Sequence, residues 1–126
     1  MSDIRPNKEQ FLELMNAPDE GPVVMVNLLK FKPRGGSQEY GKYGDSVTKM
    51  VEARGGKILW MGKVDQTLIG DIAEEDWDAV ALVQYPSRKA FIDMATSTEY
   101  DKAHEHREGG LERTVLLACT ARAGAF

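Results

Sequence analysis

The sequence has a single cysteine and no long apolar run, and each shortage excludes a class of protein. Cys119 alone cannot form an intrachain disulfide, which is typical of chains kept in a reducing compartment. No run approaches the roughly 20 apolar residues that span a bilayer, and Met1 to Arg5 lacks the apolar core of a secretory signal. We therefore expect a cytoplasmic protein with no membrane partner.

Clusters of basic residues and of metal ligands are also missing. The net charge is -4, and the 16 lysines and arginines are scattered, whereas nucleic-acid binders concentrate positive charge on one face. The two histidines, His104 and His106, point to different sides of a helix, and no Cys or Asp cluster accompanies them. Gly35-Gly36 and Gly109-Gly110 lack the context of a phosphate-binding loop. We predict no nucleic-acid partner, no metal site and no cofactor.

The composition that remains is that of an ordinary globular protein. Of the 126 residues, 42% are hydrophobic and 29% are charged, which is close to the globular average. This length suffices for one hydrophobic core. We predict a single domain over 1–126, with a core over about 21–120, an N-terminal helix over about 7–15 and a C-terminal tail over 121–126.

The stretch from Gly21 to Lys32 is the most informative part of the chain. After a Gly-Pro turn it is apolar at both alternating sets of positions, which predicts a strand covered on two faces and hence central in a sheet. Asn27 interrupts the run. A buried carboxamide needs hydrogen-bond partners from protein, water or ligand, so Asn27 is the first candidate for a site.

The periodicity of the remaining sequence predicts three further strands and three further segments of helix. Helices are predicted from about Ser37 to Ala53, after the cap Ser87, and after the cap Ser97. Strands are predicted over 57–64, 77–85 and 111–120, with Ile58 and Trp60 on one face of the first. The order strand, helix, strand, strand, helix, strand is the split βαβ pattern of ferredoxin-like folds. The fold class is therefore α+β, with a four-stranded antiparallel sheet and an extra N-terminal helix.

Helices on one face of this sheet leave the other face apolar and exposed. A second copy of the sheet would cover it, so we predict a homodimer in which two sheets pack face to face. The alternative is a monomer in which the N-terminal helix and the segment 65–73 shield that face.

Several motifs, in this order, resemble a known family of dimeric α+β barrel proteins, the domain of unknown function 1330 family. They are Val26-Asn27-Leu28-Leu29-Lys30, the helix with Tyr40 and Tyr43, Gly55-Gly56, Trp60-x-Gly62, Gly70, Tyr85-Pro86-Ser87, Ser97-x-Glu99-Tyr100 and Arg107. The resemblance runs from about Val23 to Ala118 and implies the same fold and a dimer. Its wider superfamily includes cofactor-free monooxygenases, lactone isomerases, haem-binding enzymes and ligand-binding or regulatory domains, so fold alone does not assign function. The N-terminal helix, the loop 33–38 and the acidic insertion 72–76 depart from shorter members.

The resemblance implies a site between the sheet and its helices, and eight side chains are candidates for it. Those proposed to bind a ligand are Asn27, Tyr40, Tyr43, Trp60, Tyr85 and Tyr100, and those proposed as catalytic are His104 and Arg107. Asn27 would orient a carbonyl or anionic oxygen through its amide, or else bond to neighbouring backbone. Arg107, Tyr100 and His104 on one helical face would hold a small carboxylate and move a proton, or else Arg107 would only bond the helix end.

These candidates support one leading function and two alternatives. The leading function is a homodimer that binds a small, partly apolar organic molecule, with activity like that of a cofactor-free isomerase or monooxygenase. The first alternative is a non-catalytic dimerisation or regulatory module, in which Trp60, Tyr85 and Met94 fill the interior. The second is haem binding through His104.

Overall fold

The elements follow one another in the order that the sequence predicts. The structure is a computed structural model that describes residues 5–19 and 21–122. Within them lie α1 (Lys8–Asn16), β1 (Val23–Phe31), α2 (Gly36–Ala53), β2 (Lys57–Lys63), β3 (Ala79–Tyr85), α3 (Arg88–Ala95), α4 (Thr98–Gly110) and β4 (Leu111–Cys119). The strands form one antiparallel sheet in the order β2-β3-β1-β4, so β1 is central and the ferredoxin-like fold is confirmed. Of the predicted tail, residues 123–126 lie outside the described residues.

Side chains cap the starts of α1, α3 and α4, and the caps of the last two are the serines that the sequence predicts. Asn7 and Gln10 form the reciprocal capping box of α1. Ser87 accepts from the backbone of Ala90 at the start of α3, and Ser97 accepts from Tyr100 at the start of α4. Throughout the described part of the chain, every helix is too short or too polar to cross a bilayer.

The sheet has one covered face and one open face. Alternate residues of β1, from Val23 to Leu29, are buried beneath the helices and pack in one cluster with Tyr40, Tyr43, Val47 and Val51 of α2. The opposite side chains form the open face, in two rows that run across all four strands. The rows are Trp60, Leu82, Val26, Leu117 and Gly62, Val80, Leu28, Val115.

Trp60 lies on the open face, which corrects the prediction that it shares a face with Ile58. The pairing of β2 with β3 shifts register between these two residues, so Leu59 is an extra residue in the ladder. Ile58 and Met61 therefore face the helices. The Trp60 ring, 55% exposed, packs directly on Gly62 of the same strand.

Neither of the segments that were expected to shield a monomer covers the open face. The helix α1 packs on α3, and its Leu14 reaches the core on the helix side of the sheet. The connection 64–78 is anchored at one end of the open face, where Asp76 pairs with Lys30 at 3.3 Å and with Arg113. On that face Leu117 of the edge strand β4 stays 47% exposed, and Trp60 of the edge strand β2 is also exposed.

The helices α2 and α4 meet through a pair of glycines. A Cβ added to Gly110 would lie 2.7 Å from the Gly36 carbonyl oxygen and 2.7 Å from the Tyr40 nitrogen, which is closer than real contacts allow. The Gly110 carbonyl also accepts from the Lys32 nitrogen at 2.8 Å. By contrast, Gly41 and Gly44 of α2 have open space around such a Cβ.

We expect Gly110→Ala to destabilise the protein by about 1–3 kcal/mol, because the methyl group forces the two backbones apart. The measurement is urea unfolding at fixed protein concentration. The control is Gly41→Ala, which lies within α2 with no neighbour at that position and is expected to stabilise by up to about 1 kcal/mol. Equal stability of Gly110→Ala and the wild type would contradict this account of the helix contact.

Candidate functional site

A cleft lies between α2 and the covered face of the sheet. Its volume of about 60 Å³ is enough for about four to six non-hydrogen atoms. The floor includes a row that crosses all four strands, Met61, Ala81, Asn27 and Leu116. The other lining residues are Met25, Ile58 and Val83 of the floor, Tyr40, Tyr43, Gly44, Val47, Thr48 and Val51 of α2, and Tyr85, Phe91 and Arg107.

Asn27 lies at the centre of the cleft floor and is buried because β1 is the central strand. Its Nδ2 donates to the backbone oxygens of Met25 at 3.3 Å and Ala81 at 3.2 Å. Asn27 therefore uses both amide hydrogens in bonds to the backbone of the sheet, which is the alternative role considered for it above. The amide oxygen Oδ1 is the group that Asn27 offers to a ligand.

Arg107 reaches the cleft from α4 and supplies the formal charge among the lining residues. Its side chain is buried, its Cζ lies 5.9 Å from the centre of the Tyr43 ring, and its positive charge partly offsets the rise in the pKa of the nearby Tyr40. Among the described residues, no carboxylate lines the cleft. An apolar cleft with one cation favours a ligand that carries an anionic or carbonyl oxygen.

The three tyrosines of the cleft are neutral at neutral pH. Burial raises the pKa of Tyr40, of Tyr85 and, most strongly, of Tyr43, where the neighbouring Tyr100 phenol adds to the effect. The Tyr43 hydroxyl lies 2.9 Å from the Tyr100 hydroxyl, and the Tyr85 hydroxyl donates to Met94 Sδ at 3.7 Å. These phenols can donate hydrogen bonds, but they are poor bases.

His104 is buried beside the cleft rather than in its lining. Its ring centre lies 5.6 Å from that of Tyr100, and neither ring nitrogen has a hydrogen-bond partner among the described residues. Glu108 Oε1 is 2.9 Å from Nε2, but outside hydrogen-bonding geometry. Burial lowers the His104 pKa, and the charges of Arg5 and Arg107 lower it further. The imidazole is therefore neutral at neutral pH.

The structure brings five of the eight candidate residues to the cleft and leaves three outside it. Asn27, Tyr40, Tyr43, Tyr85 and Arg107 line the cleft, whereas Tyr100, His104 and Trp60 do not. Trp60 is on the other face of the sheet because of the irregular register of β2. Sequence reasoning missed Gly44 and the apolar floor residues Met61 and Leu116, since apolar and glycine positions carry no chemical signal. Among the described residues, no three potential ligands are close enough to hold a metal ion.

The sheet, its helix layer and the enclosed cleft define a member of the ferredoxin-like α+β class. The model of the family described as Domain of unknown function (DUF1330) matches residues 35–120. The chain belongs to this family, which confirms the resemblance seen in the sequence.

Solved structures support the same assignment. A protein of unknown function from Rhodopseudomonas palustris is 33% identical, with a TM-score of 0.88, 98% of this chain covered and 100% of that one. A hydroxynitrile lyase from Passiflora edulis is 10% identical, with a TM-score of 0.64 and coverage of 82% and 96%. A dimeric ferredoxin-like protein of unknown function from Thermobifida fusca is 11% identical, with a TM-score of 0.58 and coverage of 80% and 92%. The last two show likeness of fold alone. No curated protein matches the sequence.

We expect the free energy of unfolding to fall as the pH rises above about 10, and to fall less in Tyr43→Phe. Burial holds the folded-state pKa of Tyr43 above its ordinary value of 10.0. Its contribution to stability is therefore complete below that value and is lost as the pH rises toward the folded-state pKa. The measurement is urea unfolding at about pH 9 and pH 11.

At about pH 9 the same Tyr43→Phe variant is expected to lose about 1 kcal/mol, since the hydrogen bond to Tyr100 disappears. An identical pH dependence in variant and wild type would show that Tyr43 does not hold its proton more tightly when folded.

Proposed function

We propose that this protein is a homodimer that binds a small, partly apolar organic anion in the cleft between α2 and the sheet. The proposed ligand rests on one observation, which is that Asn27 and Arg107 both line an otherwise mainly apolar cleft. Arg107 attracts a carboxylate or enolate oxygen, the floor residues Met61 and Leu116 contact the apolar part, and the Asn27 oxygen accepts from any hydroxyl or N–H group that the ligand also carries. The volume of the cleft limits the ligand to about the size of a short-chain acid.

The titratable groups of the cleft favour binding over proton abstraction. The lining residues that titrate are three tyrosines with raised pKa values and one arginine, and His104 lies outside the lining. A general base within hydrogen-bond reach of the ligand is therefore not among these side chains. An isomerase-like or monooxygenase-like reaction would rely on the phenols as proton donors and on Arg107 to stabilise a developing anion. The cytoplasmic location stays a prediction from the sequence.

The open face of the sheet supports the dimer. It presents the bulky apolar side chains Trp60, Leu82, Val26 and Leu117 in one row and Val80, Leu28 and Val115 in the next. Contiguous apolar surfaces of this kind are rare on monomers and typical of subunit interfaces. Two such faces related by a twofold axis would cover each other.

The ligand is tested with butyrate, which carries a carboxylate on a short apolar chain. Titration of the labelled protein, followed by amide chemical shifts, is expected to perturb the Asn27 side chain with a Kd in the millimolar range or tighter. Butyramide, which has nearly the same shape without the charge, should bind at least about tenfold more weakly, as butyrate should to Arg107→Met.

The matched variants are two substitutions of glycine in α2. Gly44→Leu places a side chain in the cleft lining and should abolish the shifts, whereas Gly41→Leu lies outside the lining and should leave them unchanged. Butyrate binding that survives Gly44→Leu, or that is absent from the wild type, would show that the cleft is not such a site.

We expect the wild type to be a dimer in light scattering after gel filtration, and Leu117→Asp to be a monomer. The substitution puts a charge on the open face, where burial against a second sheet would cost several kcal/mol. Leu12→Asp, an equally exposed apolar position on α1, is the control and should remain dimeric. A monomeric wild type would overturn the sheet-to-sheet interface.

A further inference from the structure

The connection between β2 and β3 carries three aliphatic side chains that are almost fully exposed. Leu68 is 81% exposed, Ile69 is 92% exposed and Ile72 is 74% exposed. Three such residues within five positions form an apolar tip, which we name the 68–72 tip. Removal of apolar side chains from water favours association, and an exposed apolar cluster of this kind is typical of a surface that contacts another molecule.

The segment that carries the tip is held in a defined shape. The backbone nitrogens of Glu74 and Glu75 donate to the Asp71 carbonyl oxygen, and the Asp71 side chain accepts from the Ala73 nitrogen. Thr67 Oγ1 donates to the Glu75 backbone at 2.7 Å and closes the loop. Because little conformational entropy remains to be lost, the tip is preorganised for contact with another surface.

The base of this segment is attached to the open face of the sheet. Arg113 and Lys30 are paired across β4 and β1, on the same side as Val115 and Leu28, and both contact Asp76. The Arg113 guanidinium also stacks 4.2 Å from the centre of the Trp77 ring. The base of the segment that carries the tip is thus attached to the open face rather than to the helix layer.

We propose that the 68–72 tip of each protomer packs against the second copy of this chain and clamps the dimer. This inference rests on the proposed sheet-to-sheet dimer and names a further element of it. The base of the tip segment is attached to the open face, so a second copy that covers that face comes close to this segment. In a twofold interface each tip contact occurs twice, which doubles its contribution to the free energy of dimerisation.

The test compares dimer dissociation constants measured by sedimentation equilibrium. The triple variant Leu68→Ser, Ile69→Ser, Ile72→Ser is expected to raise the Kd of the dimer by about 100-fold or more. The matched control is Leu12→Ser with Met15→Ser, two exposed apolar residues of α1, and it should leave the Kd unchanged. Since the three tip side chains are exposed within the protomer, the variant should keep the far-ultraviolet circular dichroism of the wild type.

The outcomes separate this inference from the dimer proposal. A monomeric wild type overturns both. A dimeric wild type that Leu117→Asp dissociates, together with an unchanged Kd in the tip variant, supports the sheet interface and overturns the clamp. A photo-crosslinking residue in place of Ile69 gives a second readout, since a clamp requires a covalent product of twice the chain mass.

Discussion

The strand β1 has apolar side chains on both faces, but the described part of the chain supplies one layer of helices, on one of those faces. Its covered face packs under α2 and α4, which come together because Gly36 and Gly110 let their backbones approach. Among the described residues no helix lies over its open face, so burial of that face requires a surface from another molecule. The proposed dimer and the proposed clamp both follow from this imbalance between two apolar sheet faces and one helix layer.

Polar groups occur on the covered face only where the fold can satisfy them. Asn27 donates to two backbone oxygens of the sheet, and Arg107 is held against Tyr43 and Tyr40. Both side chains are buried at a cost that hydrogen bonds and the aromatic ring offset. The cleft between them remains because α2 crosses above the sheet with glycine rather than a bulky residue at position 44. The same feature that leaves the space open defines the site.

The fold was largely predictable, whereas only part of the site was. Local rules sufficed for the caps at Asn7, Ser87 and Ser97, and the period of two located β1 as the central strand. Face assignments fail where the backbone departs from regular geometry, as the register shift before Trp60 shows. The sequence groups Tyr100, His104 and Arg107 on one helical face, but in the structure only Arg107 of the three lines the cleft.

By itself the sequence determined the element order, the two apolar faces of β1 and membership of the family, because periodicity, caps and motif order are local properties. The tertiary structure alone decided which faces are covered, where the cleft lies and that the acidic insertion attaches to Lys30 and Arg113. The close contact of Gly36 with Gly110 is of the same kind. These features depend on distances between segments far apart in the chain, and no local pattern of residues encodes such distances.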